Sequence, residues 1–244
     1  MWYKVKKIYQ WTNLVRPVWK PNANTVAYYP LESDGNDYSW NNHNLTWYWT
    51  PSYTTSWTTK NVLSLNGSTL WKIANLSGTY TNYTFSVWCK STSTNSWQEI
   101  FDNVVFNTNT NNVYFNFNGT AKELGWYQTF SYQYRPNWWS NSYQNIYEST
   151  NRNTGTRYNV ITTSTSSGVK LYLNWIQVAS NSTTWTIILD SWHNSIGGRL
   201  REPTYNIPIN FFIGYMSEFI FENKTWTATE VLNYYNQTKS NYWL

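Results

Sequence analysis

Short runs of alternating apolar and polar residues fill most of this sequence, and Asn, Gly and Ser separate them. Phe85, Val87 and Cys89 fall on one face of such a run, and the apolar positions of residues 113–117 do so in another. Alternation with a period of two predicts half-buried β-strands, and the polar residues between the runs predict turns. The pattern therefore predicts an all-β sandwich or barrel.

A single segment near the C-terminus has the features of a helix. Thr227 is followed three residues later by Glu230, which is the spacing of a capping box. The apolar face of the predicted helix consists of Val231, Leu232, Tyr234 and Tyr235. One short C-terminal helix is therefore expected beside the strands.

Turn signals indicate how neighbouring strands connect. An Asn-Gly pair at 66–67 predicts a hairpin over residues 62–73, and residues 169–180 predict a second hairpin. Residues 137–168 are polar and weakly patterned, which predicts a long excursion or an irregular hairpin. Residues 210–223 predict a pair of strands.

Composition narrows the classes of protein that fit. The 244 residues are 20% aromatic and 12% charged, with a formal net charge of +5. This length suits one large β-sandwich, and so mild a charge argues against a nucleic-acid partner. The single cysteine, Cys89, excludes an intrachain disulfide and is expected to be buried and inert. No apolar run is long enough to insert in a membrane, and the first residues lack the apolar core of a signal peptide.

Residues 1–22 differ from the remainder of the chain, because bases and aromatic residues are mixed there and two prolines punctuate the end. The basic side chains of this arm include Lys4, Lys6, Lys7 and Arg16. A solvated tail and a segment that docks on a neighbouring subunit both fit this composition. Residues 23–244 are predicted to form a single domain.

The carboxylates offer little support for catalysis. A glycosidase needs two carboxyl groups on either side of the sugar. Glu99 and Asp102 come nearest to such a pair, but a spacing of three predicts opposite faces of one strand. The two histidines, His43 and His193, are far apart in sequence and match no zinc-binding spacing. The protein is therefore predicted not to be an enzyme.

A calcium site is one interpretation of an acidic loop. Asp34, Asn36 and Asp37 place three oxygen-bearing side chains within four residues, and calcium prefers such hard ligands on a turn. The alternative is a loop in which Asp and Asn accept hydrogen bonds from their own backbone. The residues alone leave both interpretations open.

Aromatic residues are the most unusual feature, with 18 tryptophans in the chain. Sugars stack their apolar faces on Trp and Tyr rings, while amides bind the hydroxyl groups. Two clusters among polar residues are candidates for such a platform: Trp47, Trp49, Tyr53 and Trp57, and then Trp138 and Trp139. The same residues suit a protein–protein interface or packing in a second core layer.

Five segments, in order, resemble the laminin G-like family of concanavalin A-like jelly rolls. They are VAYYPLESDGNDYSWNNHNLT (26–46), YTFSVWCKSTST (83–94), GWYQTFSY (125–132), GVKLYLNWIQVAS (168–180) and FFIGYMSEFIFENKTWTATEVLNYY (211–235). The resemblance implies an antiparallel jelly-roll β-sandwich. It also implies that the acidic loop binds calcium with help from Glu218 near the last strand. The sequence departs from the family at Trp40, Trp175 and Ser217, which puts an inherited ligand site in doubt.

Three functions follow from these observations. The first is a non-catalytic, lectin-like module that is displayed on a virion or cell surface and recognises glycans. The second is a structural virion protein, such as a phage capsid decoration or tail component, whose partners are capsid or tail proteins or further copies of itself. The third and weakest is a glycosidase.

Overall fold

Two antiparallel β-sheets face each other across an apolar core in the computed structural model, which describes residues 19–48, 50–55, 58–95, 97–103, 112–117, 129–135, 144–200 and 208–244. The strands are β1 (Thr25–Tyr29), β2 (Leu45–Trp47), β3 (Ser52–Thr54), β4 (Val62–Asn66), β5 (Trp71–Ile73), β6 (Gly78–Tyr80), β7 (Tyr83–Ser91), β8 (Gln98–Asp102), β9 (Asn112–Phe117), β10 (Phe130–Arg135), β11 (Gln144–Tyr147), β12 (Tyr158–Thr165), β13 (Gly168–Leu173), β14 (Ile176–Asn181), β15 (Ile187–Leu189), β16 (Ser195–Ile196) and β17 (Ile213–Glu222).

Within the described residues, the first sheet has eight strands in the order β14-β13-β12-β7-β17-β4-β3, with β1 paired to β17 beyond the end of β4. The second sheet has seven described strands in the order β11-β10-β9-β8-β16-β5-β2. A small pair, β15 and β6, lies outside both sheets. The arrangement confirms the predicted all-β, antiparallel jelly-roll sandwich.

Alternate residues of the strands fill the space between the two sheets. Phe85 lies near the centre, with its ring 4.5 Å from that of Phe221 and 4.8 Å from that of Phe101. Val87 and Cys89 follow Phe85 into the same core, as the alternation predicted. Burial raises the pKa of the Cys89 thiol, so this cysteine is the inert core residue that was expected.

The predicted helix is present as α1 (Ala228–Thr238), and a 3₁₀-helix (Lys239–Tyr242) continues it. Thr227 caps the N-terminus in a capping box with Glu230, which confirms that prediction. The helix packs on the outer face of the eight-stranded sheet through Val231, Tyr234 and Tyr235. The prediction for Leu232 is wrong, because this position turns toward solvent and is exposed.

The hairpin predicted over residues 62–73 is wrong. Strand β4 pairs with β3 and β17 in one sheet, whereas β5 pairs with β2 and β16 in the other. The turn after Asn66 carries the chain from one sheet to the other, and the Asn66 side chain accepts hydrogen bonds from Ser68 and Thr69 within it. An Asn-Gly pair predicts the turn itself, but it does not determine which sheet the following strand joins.

Two other predictions also miss long-range pairing. Within the polar segment 137–168, strand β12 is almost wholly buried and pairs with β7 near the centre of the sheet. Residues 210–223 hold one long strand, β17, rather than a pair. A register shift between Ser217 and Ile220 interrupts that strand as a bulge. The hairpin of β13 and β14 is confirmed.

The predicted arm is described only from residue 19 onward. Trp19 packs against the domain, with its ring 4.9 Å from Tyr28 and 6.5 Å from Trp226. The basic residues Lys4, Lys6, Lys7 and Arg16 lie outside the described residues. Among the described residues, no helix combines the length and the apolar character needed to span a membrane.

Close packing of β17 against β7 gives a prediction about stability. Gly214 has φ +145°, and a Cβ atom there would lie 2.1 Å from the carbonyl oxygen of Lys90 on β7. We expect Gly214→Ala to lower the free energy of unfolding by about 3 kcal/mol or more, because backbone strain and a clash with a neighbouring strand add together. Urea denaturation would measure the change.

Gly155 provides the matched control for Gly214. It also has positive φ, +82°, but an added Cβ there would meet nothing within 4 Å. Gly155→Ala is expected to lower the free energy of unfolding by only about 1 kcal/mol, the strain of the left-handed backbone alone. Equal losses in the two variants would contradict the close approach of β7 and β17.

Candidate functional site

The side chain of Asp37 organises the acidic loop from within. One carboxylate oxygen accepts hydrogen bonds from the backbone N–H of Tyr28 at 3.1 Å and of Ser39 at 2.9 Å. The other accepts from the Ser39 hydroxyl at 2.8 Å and from the backbone N–H of His43 at 2.9 Å. Four donors therefore occupy this carboxylate, and it ties the loop to strand β1.

Two more of the proposed calcium ligands, Asp34 and Glu218, are also engaged. Asp34 accepts from the backbone N–H of Asn36 at 3.0 Å and lies 3.3 Å from the hydroxyl of Tyr38. Glu218 is fully buried, pairs with the Lys60 ammonium group and accepts from the Tyr234 hydroxyl at 3.0 Å.

In this structure the carboxylate oxygens of Asp34, Asp37 and Glu218 already interact with donors of the protein itself. The described part of the chain contains no group of three or more His, Cys, Asp or Glu side chains arranged to hold a metal. The geometry favours the interpretation of Asp and Asn side chains that brace a turn. Calcium binding at this loop stays a prediction.

The proposed aromatic platforms are only partly described. Trp47 lies on edge strand β2, is 55% exposed and has its ring 5.3 Å from that of Trp71. Tyr53 packs partly buried against the core, and burial raises the pKa of its hydroxyl to about 12. The other four residues lie outside the described residues: Trp49, Trp57, Trp138 and Trp139. An exposed ring not singled out from sequence, Trp192, lies 4.9 Å from the Lys72 ammonium group.

The outer face of the seven-stranded sheet is polar. The register places one side chain from each strand in a row across it: Thr46, Lys72, Ser195, Asp102, Tyr114, Gln133 and Asn145. A β-bulge between Glu99 and Phe101 shifts the register by one residue. The expectation that Glu99 and Asp102 point to opposite faces is therefore wrong, because the bulge brings both carboxylates to this face.

Arg199 binds both of these buried carboxylates. Its Nε lies 3.1 Å from a Glu99 oxygen and 3.0 Å from an Asp102 oxygen, and its terminal nitrogen also donates to Glu99. Burial raises the pKa of Glu99 well above its ordinary value, Arg199 opposes this rise, and the neighbouring Asp102 adds to it. These interactions of Arg199 with Glu99 and Asp102 hold its segment of the chain against the seven-stranded sheet.

An open cleft of about 640 Å³ lies on the opposite side of the molecule, beside the N-terminal end of α1. Strands β12, β13 and β14 form its floor, and the segment before the helix forms one wall. The polar side chains from the strand side are Thr163, Thr165, Ser167, Lys170, Ser180, Asn181 and Ser182. Thr225 and Thr227 complete the hydroxyl groups on the helix side.

Two buried aromatic side chains line the base of the cleft, Tyr172 and Trp226. Trp226 is fixed at both ends, since its indole N–H donates to Glu222 and its backbone N–H donates to the Thr84 hydroxyl at 2.9 Å. Among the described residues that line the cleft, Lys170 is the one charged side chain. The cleft therefore combines many hydroxyl and amide side chains with a smaller apolar base.

Sequence reasoning did not find this cleft. Alternation in residues 169–173 does place Lys170 and Tyr172 on the face opposite Val169 and Leu171. The segment before the helix, which carries Trp226, closes one side of the cleft. It lies far from these strands in sequence, so no local pattern shows that it packs beside them.

The acidic loop gives a prediction that separates its two interpretations. We expect Asp37→Asn to lower the free energy of unfolding by about 2–3 kcal/mol, because an amide cannot accept from all four donors. Asp34→Asn should cost under about 1 kcal/mol, because the Asp34 carboxylate accepts two exposed hydrogen bonds rather than four. Urea denaturation with calcium and again with EDTA measures both. A rise in wild-type stability with calcium that both variants abolish would support the calcium site instead.

The Glu99 cluster predicts a dependence of stability on pH. Because the pKa of Glu99 is raised above 4.5 in the folded state, its contribution to stability is greatest below that pH and is lost as pH rises toward the raised value. Glu99→Gln cannot titrate, so its free energy of unfolding should fall less steeply above pH 4.5 than that of the wild type. Equal slopes in wild type and variant, measured by denaturation across this range, would contradict the shift.

Comparison with solved structures adds three relatives by fold. Domain 4 of AbnA, a GH43 extracellular arabinanase from Geobacillus stearothermophilus in complex with arabinotriose, aligns with a TM-score of 0.67 at 16% identity, over 86% of this chain and 97% of that one. The binding domain of Paraclostridial Mosquitocidal Protein 1 gives 0.62 at 14% identity, over 87% of this chain and 52% of that one.

The third relative is the ligand binding domain of botulinum neurotoxin serotype D in complex with N-acetylneuraminic acid, with a TM-score of 0.61 at 17% identity, over 87% of this chain and 50% of that one. This chain thus spans about half of each toxin binding domain. Likenesses at such low identity show the fold alone.

No curated protein sequence matches this chain. A laminin G family model, described as Concanavalin A-like lectin/glucanases superfamily, matches residues 65–232. The match covers more than half of the sequence and runs from the end of β4 into α1. The order of the five resembling segments, the two sheets and this match agree, and the chain belongs to the laminin G branch of the concanavalin A-like lectin/glucanases superfamily.

Proposed function

We propose that this protein is a non-catalytic, lectin-like module that binds an oligosaccharide in the cleft beside α1. The observation that carries the proposal is the cleft itself, an open space of about 640 Å³ bordered by hydroxyl and amide side chains. Ligand sites commonly have volumes of about 300–1,000 Å³, so a short oligosaccharide fits the space.

The chemistry of the lining suits a polyol. Serine, threonine and asparagine side chains both donate and accept hydrogen bonds, as sugar hydroxyl groups require. Tyr172 and Trp226 supply the apolar base against which the carbon–hydrogen face of a sugar packs. Lys170 adds three donors at the edge of the cleft.

The structural relatives support a sugar as the ligand class. Two of them were solved as complexes with a carbohydrate, one with arabinotriose and one with N-acetylneuraminic acid. Their likeness to this chain concerns the fold, so the proposal rests on the cleft and takes only the class of ligand from them.

Binding without catalysis is supported by the state of the nearest carboxylate pair. Glu99 and Asp102 share one face, but both are buried and bound to Arg199. A glycosidase needs one carboxyl group to protonate the leaving group and another free to act as base or nucleophile. Because both carboxyl groups are fully buried, neither is accessible to a sugar.

Display on a virion or another extracellular surface stays a prediction, as do capsid, tail or homo-oligomeric partners. Sedimentation of the intact chain tests the assembly role. Self-association that disappears when residues 1–22 are deleted would support it.

Filling the cleft tests the proposed function. Ser180 and Gln177 are both exposed on edge strand β14, but only Ser180 lines the cleft. We expect Ser180→Trp to weaken binding to any oligosaccharide identified on a glycan array at least about tenfold, measured by titration calorimetry, because the indole occupies the space. Gln177→Trp should bind like the wild type.

Lys170→Ala is a second test, which removes a hydrogen-bond donor but leaves the cleft open. A smaller loss, about threefold to tenfold, is expected if its ammonium group binds a sugar hydroxyl. If a glycan found on the array binds both cleft variants as tightly as the wild type, its binding site lies outside the cleft. An array with no positive glycan would contradict the lectin-like function.

A further inference from the structure

Aromatic rings and cations are interleaved on a second surface, at the end of the eight-stranded sheet where the β13–β14 hairpin turns. We call it the aromatic–cationic patch, and it consists of Lys90, Arg157, Trp175, Tyr215, Tyr235, Lys239 and Trp243. The Arg157 guanidinium lies 5.1 Å from the Trp243 ring, and the Lys239 ammonium group lies 5.4 Å from the Tyr235 ring. The rings of Trp175 and Tyr235 are 4.5 Å apart.

The patch extends onto strand β7 through Lys90. Its ammonium group lies 5.8 Å from the ring of Tyr215, its cross-strand partner. Burial and the positive charge of Arg157 both lower the pKa of Lys90, which indicates that the two cations are close enough to repel each other. Three cations thus face the same region.

Two cations of the patch form no ion pair with any described carboxylate. Lys60, Lys224, Arg152 and Arg199 each pair with a Glu or Asp side chain. Within the described part of the chain, neither Lys90 nor Lys239 forms such an ion pair. The patch therefore presents positive charge that an anionic ligand would complement.

The backbone under the exposed tryptophans is unusual. Trp175 has φ +71° in the two-residue turn with Asn174, a position where glycine is strongly preferred, and its side chain is 41% exposed. Trp243 has φ +56° and is 55% exposed. Positive φ is a genuine outlier for a residue this bulky, and such strain often marks a functional surface.

We propose that the aromatic–cationic patch binds an acidic polysaccharide. Carboxylate or sulfate groups would pair with Lys90, Arg157 and Lys239, and the apolar faces of the sugar rings would stack on Trp175 and Trp243. Arg157 lies over the ring of Trp243, so the charges and the aromatic faces stand side by side. A polymer that carries an anion and an apolar face on each sugar unit matches that arrangement.

This surface goes beyond the cleft of the proposed function. Gly168 lines the cleft, and Trp175 follows the other end of strand β13. Tyr172 also lines the cleft and lies three residues before Trp175, so about 10 Å of extended chain separates the two surfaces at their nearest point along β13. The cleft and the patch share no residue, so variants in one leave the other in place.

The proposal is tested with polygalacturonate as the carboxylated probe, dextran sulfate as the sulfated probe and dextran as the neutral control. The variants are Trp175→Gly and the double variant Lys90→Gln/Lys239→Gln, with Lys20→Gln/Lys72→Gln as the matched loss of two charges outside both the patch and the cleft. We expect both patch variants to bind the acidic probes at least about tenfold more weakly, and the matched control to bind within about twofold of wild type.

Trp175→Gly also separates binding from folding. Glycine suits the left-handed turn, so the melting temperature should stay the same or rise while binding is lost. Three results would overturn the proposal: acidic probes bind no better than dextran, the matched control loses as much affinity as the patch variants, or an oligonucleotide or anionic phospholipid vesicles bind more tightly through the same residues. Ser180→Trp should leave this binding unchanged, which keeps the test independent of the cleft.

Discussion

The buried ion pair between Glu218 and Lys60 is the constraint on which the arrangement of the sheet and the helix depends. Glu218 lies in the bulge of β17 with φ +51° and is fully buried. Burial lowers the pKa of Lys60, but Glu218 and Glu32 more than offset this effect and raise it. A buried charge without a partner is strongly destabilising. The Lys60 ammonium group and the Tyr234 hydroxyl must therefore both lie beside the Glu218 carboxylate in the bulge.

That bulge also explains how one strand serves two neighbours. Before it, β17 pairs with β4, and after it β17 pairs with β1, while β7 runs along its other side. The backbone N–H of Glu218 donates to Pro30, the residue that follows β1. Because Tyr234 of α1 joins the same cluster, the position of the helix is fixed by the point at which the sheet changes partner.

Helix α1 in turn places both proposed binding surfaces. The segment that leads into it carries Trp226 and closes the cleft. Its C-terminal turn carries Tyr235 to the aromatic–cationic patch, and the 3₁₀-helix with its C-terminal cap carries Lys239 and Trp243 there. Trp88 anchors this end, with its ring 5.7 Å from Tyr235 and 4.1 Å from Tyr242. One packing interaction between helix and sheet thus organises two surfaces at opposite ends of the same strands.

Sequence reasoning found the parts of the fold that depend on local pattern. The alternation around Phe85, the capping box at Thr227 and the hairpin of β13 and β14 are all encoded within a few residues. It failed at bulges, since one extra residue reverses the face of every side chain beyond it. The bulge in β8 brought Glu99 beside Asp102 in this way, and no local pattern reported it.

The candidate sites were harder to predict for a related reason. The cleft joins strands β12–β14 to Trp226, and the patch joins Lys90 to Trp243, so each depends on contacts between distant segments. Sequence did carry one local sign, the tryptophan at position 175 where the family has glycine. In a turn that favours positive φ, glycine would relieve strain, and a sequence selected for stability alone would be expected to use it. The indole at this turn packs against Tyr235 of the helix and leaves 41% of its surface exposed for the proposed ligand.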